Sequence, residues 1–160
     1  MLIRKAAERD LNTVMEIYRL AREFMIAAGN PTQWWEGYPP RELIVNDIKE
    51  GNSYVVEENG EILAVFYYKT GIDPTYINIE NGDWLNDAPY GVIHRIAVRS
   101  KGRGVASFVF DTVYGWCKNI RIDTHENNEP MKRALEKNGF KCCGVIRIAN
   151  GDARIAYQKI

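Results

Sequence analysis

The spacing of apolar and polar positions changes several times along the chain, and each change marks an element. Leu2 to Ala6 reads as a short strand. Asp10 stands where a helix N-cap belongs. Beyond it Leu11, Val14, Ile17, Tyr18, Ala21, Phe24, Met25 and Ala28 recur at helical spacing, up to a stop at Gly29-Asn30-Pro31. An aromatic loop, Thr32 to Pro40, leads to a second helix from about Pro40 to Lys49. Ser53 to Glu58 and Glu61 to Thr70 alternate about Asn59-Gly60, a strong hairpin signal. A polar and aromatic connection, Gly71 to Pro89, has no clear period.

The second half is more regular. Gly91 to Val98 reads as a strand, and Val105 to Lys118 as a helix with Val105, Phe108, Val109, Thr112, Val113 and Trp116 on one stripe. Asn119 to Thr124 is a strand, with Ile120 and Ile122 facing one way and Arg121 and Asp123 the other. Asn127 or Asn128 caps a helix that ends at Asn138-Gly139. Phe140 to Ile148 and Arg154 to Lys159 close the chain as an antiparallel pair around Asn150-Gly151. The order, β-α-α-β-β-β-α-β-α-β-β, predicts an α/β (α+β) fold: a mixed sheet of six to seven strands flanked by four helices, in a single domain over residues 1–160.

Composition narrows the functional classes. Net charge is zero, which argues against nucleic acid as a main partner. No stretch approaches the roughly 18 apolar residues that span a bilayer, so no membrane association is expected. The three cysteines, Cys117, Cys142 and Cys143, suit neither a disulfide framework nor a zinc site. A reduced, cytoplasmic protein with no metal is the expectation.

The stretch with chemistry is Arg99-Ser100-Lys101-Gly102-Arg103-Gly104-Val105-Ala106, between a strand and a helix. A helix N-terminus presents N–H groups with no intrahelical acceptor and a partial positive charge, which suits a phosphate or pyrophosphate. Gly102 and Gly104 let an anion approach the backbone, and Lys101 and Arg103 add mobile charge. A Walker loop is absent, and Ser107 stands where a dinucleotide fingerprint needs glycine.

Three features together resemble the GNAT superfamily of N-acetyltransferases: Arg99-x-x-Gly102-x-Gly104 at a strand-to-helix junction, the Asn128-led helix ending in Lys137-Asn138-Gly139-Phe140, and the element order over essentially the whole chain. The resemblance implies that acetyl-CoA binds in a cleft between two splayed parallel strands. Its pyrophosphate would lie on the amides of Lys101, Gly102, Arg103, Gly104, Val105 and Ala106. Its pantetheine arm would pair with the backbone of Ile96, Ala97 and Val98. Arg99 and Asn128 match the family's motif positions, Asn128 as a contact to the cofactor arm.

The implied activity is direct acetyl transfer from acetyl-CoA to a primary amine in a ternary complex. His94, on the strand beside the thioester, is the candidate base; by strand alternation it shares a face with Val92, Ile96 and Val98. A backbone N–H of the same strand can polarise the thioester carbonyl. The family often has a tyrosine as general acid four residues before the helix-ending glycine, and Leu135 stands there. Tyr157, Cys142 and His125 are other groups able to carry a proton. The acceptor wall would include Trp34, Trp35, Glu36 and Tyr38, shaped for a small-molecule or peptide amine. Exposed strands and aromatics would suit a homodimer. The alternative is a non-catalytic acyl-CoA-binding or sensing module that kept the cleft.

Overall fold

The computed structural model describes residues 1–160. Seven strands run β1 (Leu2–Lys5), β2 (Ser53–Glu58), β3 (Glu61–Thr70), β4 (Gly91–Val98), β5 (Ile120–Thr124), β6 (Lys141–Arg147) and β7 (Ala153–Lys159). Four helices are α1 (Leu11–Ala27), α2 (Arg41–Lys49), α3 (Val105–Trp116) and α4 (Glu129–Lys137). The sheet order is β1-β2-β3-β4-β5-β7-β6. The β4–β5 pair is parallel, with Gly91 opposite Ile120 and Val92 opposite Arg121. The β1–β2, β2–β3, β5–β7 and β6–β7 pairs are antiparallel, so the sheet is mixed, as the element order predicts.

The chain forms two compact units, Met1–Tyr68 with His94–Val109 and Lys69–Ile93 with Phe110–Ile160. In the first unit the β2–β3 hairpin turns on Asn59 and Gly60, both at positive φ (52° and 80°), the pair of left-handed residues that a two-residue hairpin loop requires. Helix α1 buries Leu11, Val14, Ile17, Tyr18 and Ala21 in a core with Ile44, Val55 and Val65. Each of the Leu, Val and Ile side chains among them contributes roughly 1.5–3 kcal/mol.

Asp10 holds the N-cap position of α1 but does not cap it through its side chain. It is itself helical (φ −86°, ψ −12°), in a short 3-10 turn over Glu8–Asp10, and makes no cap hydrogen bond. Its carboxylate instead accepts the Ala7 N–H at 2.7 Å and two N–H groups of Arg4. A strand arginine within reach offers a stronger partner than a helix-end amide does.

In the second unit the residues of 72–90 that show no period are packed by their side chains. A 3-10 turn, Pro74–Tyr76, is capped by Asp73, whose side chain accepts the Thr75 N–H at 2.9 Å. The Tyr76 hydroxyl donates to Asp123 at 2.7 Å. Arg121 is buried, its guanidinium 4.2 Å from the centre of the Trp84 ring and 4.0 Å from that of Tyr90. Glu80 and Val145 exchange backbone hydrogen bonds of 2.8 and 2.9 Å. That approach needs glycine at 144, where a Cβ would lie 2.4 Å from the Glu80 carbonyl oxygen.

The α3 stripe differs from expectation at its end. Val105, Val109 and Val113 are buried with Phe110, whereas Trp116 is exposed. Asn128 caps α4, its Oδ1 accepting the Met131 N–H at 3.3 Å, and Asn138 follows the last turn.

Candidate functional site

The glycine turn lies in the first unit, between β4 and α3. Gly102 and Gly104 both take positive φ, 83° and 68°. A Cβ built on either meets no atom within 4 Å, so these glycines are required by backbone conformation and not by crowding. The first bond of α3 runs from the Phe108 N–H to the Gly104 carbonyl, at 3.0 Å. No protein carbonyl takes the N–H groups of Lys101 to Ala106. Lys101, Gly102, Arg103 and Gly104 are exposed. The turn is thus a run of open donors at a helix N-terminus, which fits a pyrophosphate.

The cationic side chains flanking the turn are each engaged elsewhere. The Lys101 ammonium sits 4.2 Å from the centre of the Phe24 ring on α1. Arg103 donates to Glu58 at 2.8 Å in an exposed pair. Arg99 turns away from the glycines: its Nε donates to the Ile62 carbonyl at 3.0 Å, while its backbone N–H bonds Leu63. It lines an open pocket of about 490 Å³ with Arg4, Arg9, Asp10, Glu57 and Glu61. What the turn itself offers an anion is therefore main-chain hydrogen.

Strand β4 is interrupted at Arg95, which has φ 49° inside the strand. For a residue with a Cβ this costs roughly 1–2 kcal/mol. His94 is half-buried, its ring 5.7 Å from that of Tyr67. Ala97 packs into the core, while Ile96 and Val98 are half-buried.

Arg95 is held from several sides. Its Nη2 donates to Asp47 on α2 at 2.6 Å, with the two side chains 13% and 6% exposed. Its guanidinium lies 4.8 Å from the Tyr67 ring centre. Burial pushes the Asp47 carboxyl above its usual range, against the pull of Arg95 and His94. Burial also raises the Tyr18 hydroxyl. Neither Arg95 nor Asp47 stands out in the sequence. An arginine beside His94 in a mostly apolar strand, read with an aspartate on the inner face of a helix, was the available signal.

The aromatic loop divides its rings between core and surface. Trp34 is buried against Tyr18, ring centres 5.8 Å apart, so it closes the core. Trp35 is 58% exposed and lies 4.3 Å from Tyr38, which is half-buried. Glu36 is exposed beside them.

In the second unit Asn128 is buried as the α4 cap and Leu135 is fully buried. Tyr157 on β7 pairs with Cys142 and Ile122, and burial pushes its hydroxyl up to about 12. The His125 imidazole accepts the Asn127 N–H at 3.0 Å, and burial lowers its pKa. No helix is long and apolar enough to cross a membrane.

The family model of the acetyltransferase (GNAT) family matches residues 12–140. The chain belongs to the GNAT acetyltransferases. A GNAT acetyltransferase from Streptococcus agalactiae is 34% identical, with a TM-score of 0.89 over 99% of this chain and 94% of that one. One from Listeria monocytogenes, 20% identical, shares the fold with a TM-score of 0.71 over 99% and 93%. So does AAC(6')-Ib, solved in complex with ribostamycin and coenzyme A: 20% identity, TM-score 0.65, 98% and 91% covered. No curated protein matches. As a GNAT acetyltransferase the protein is an acyltransferase whose donor is acetyl-CoA.

Proposed function

We propose that this acetyltransferase moves the acetyl group from acetyl-CoA to a primary amine by direct transfer, with both reactants bound at once. The observation that carries the reading is the run of unaccepted N–H groups from Lys101 to Ala106 at the start of α3. Those amides take the pyrophosphate, and the backbone of Ile96, Ala97 and Val98 takes the pantetheine arm. Arg99 acts through the backbone of β3, and Asn128 steadies the start of α4 by its cap.

Acetyl-CoA supplies the acetyl group as an activated thioester. His94 accepts the proton the amine loses as its nitrogen bonds to the carbonyl carbon. A β4 N–H donates to the carbonyl oxygen as its charge grows, and the C–S bond breaks. Leu135 puts no hydroxyl on α4, so the thiolate, with a thiol pKa of about 8.5, takes its proton from another group or from water. The acceptor wall is the exposed face of the aromatic loop, Trp35, Glu36 and Tyr38, with Trp34 as its buried footing. This wall suits a small-molecule or peptide amine.

Leu135 also favours a second reading, a module that binds acyl-CoA and does not turn it over. Calorimetry with acetyl-CoA, followed by thiol release against a panel of amines, separates the readings. Binding with release on at least one amine supports transfer. Binding with no release on any amine supports the module, and no binding removes both.

A further inference from the structure

Residue 95 is where the backbone of β4 departs from an extended strand, and arginine is not a residue that takes positive φ readily. Such a conformation persists only where the surroundings hold it. Here they converge on one side chain: Asp47 from α2 at 2.6 Å, the Tyr67 face from β3 at 4.8 Å, and the Tyr18 and Tyr38 hydroxyls near enough to act on its charge. The Arg95 Nε is buried without a partner, and the Asp47 contact is the ion pair that anchors the group.

An extended strand sends successive N–H groups to alternate edges. One left-handed residue resets that alternation, so the φ of residue 95 sets the direction of the Ile96 N–H and its relation to the His94 ring. We propose that Arg95 is a positioning residue: pinned by Asp47, it holds the left-handed turn in β4 and so aims the Ile96 N–H at the thioester carbonyl. The proposal rests on the reading of β4 as the strand that carries the acyl donor.

The test uses [1-13C]acetyl-CoA bound to the full-length protein without acceptor, so that the carbonyl resonance reports the hydrogen bond directly. Calorimetry with acetyl-CoA comes first. If the wild type does not bind, the reading of β4 fails before Arg95 is in question. With binding established, Arg95→Ala removes the anchor and keeps the cost of positive φ. The carbonyl resonance then moves toward its free value, and kcat on an amine found in the panel falls about a hundredfold with KM little changed. Arg95→Gly, for which positive φ is free, recovers much of both. Asp47→Asn, which keeps the side-chain shape, reproduces Arg95→Ala and serves where that variant is unstable. The double variant Asp47→Asn/Arg95→Ala is no worse than either single one, since the two act as one device. A wild-type carbonyl resonance in both Arg95→Ala and Asp47→Asn overturns the proposal, as does a glycine variant no better than alanine.

Discussion

Arg4 holds Asp10 with two guanidinium N–H groups, Nη1 at 2.7 Å and Nη2 at 3.0 Å. Its Nε reaches Glu57 at 2.7 Å, so one arginine ties β1 to β2 and to the start of α1. The Arg4 hydrogen bonds hold the Asp10 carboxyl below its usual range, outweighing the opposing effect of burial. A carboxyl lowered in the folded state binds more protons when unfolded. Its contribution is present above the unfolded pKa of about 3.9 and is lost as pH falls through the lower folded value. Asp10→Asn should cost about 1–3 kcal/mol at neutral pH and flatten the acid limb of stability against pH. Urea unfolding across that range measures both.

The glycine turn gives a second expectation. Gly104→Val puts a branched side chain at φ 68° and into the open space in front of the amides. Stability should drop by about 1–2 kcal/mol, while CoA affinity by calorimetry should fall by far more than that cost explains. An affinity that merely follows stability would mean the amides are not the anion's donors.

The proposed base, His94, has a direct test. His94→Gln keeps a polar side chain but cannot take a proton. The rate at saturating amine should fall across the range of about pH 6 to 9. An unchanged profile assigns the proton to water instead.

Arg121 supplies a test of the second unit. Its guanidinium lies against Trp84 and Tyr90 and donates to the Asn86 carbonyl at 2.8 Å. Arg121→Lys loses the planar stack as well as the directed N–H. It should cost about 1–3 kcal/mol, visible in thermal unfolding and in faster hydrogen exchange across residues 74–90.

The cysteines differ in exposure, and burial raises the Cys143 thiol further. A thiol reagent on the folded protein should therefore modify Cys142 first and Cys143 last. Mass spectrometry of the partly labelled protein reads the order.

Local signals carried most of the fold because they are strong where the geometry is local. Asn59-Gly60, the Asn128 cap and the strand–glycine–helix junction each need only neighbours to be recognised. What stayed hidden depends on residues far apart in sequence. Asp10 stands at the cap position without a cap hydrogen bond, because Arg4 reaches its carboxylate from β1. Arg121 is buried where alternation placed it with Asp123 on the opposite face from the isoleucines, because the 72–90 connection lays Trp84 and Tyr90 over it. Trp34 and Trp35 are adjacent and chemically identical, and only the packing of Tyr18 tells the buried one from the exposed one. The break at Arg95 follows no residue preference at all; it comes with a pair 48 positions apart.

As the proposed pyrophosphate site, a turn that offers main-chain hydrogen has an unusual mutational profile. Lys101 and Arg103 could be exchanged for many other side chains with small effect, because what the loop offers does not depend on them. Gly102 and Gly104 would tolerate almost nothing. A saturation library selected for donor binding should therefore show a two-residue comb, permissive and forbidding positions in turn, along the turn from 101 to 104.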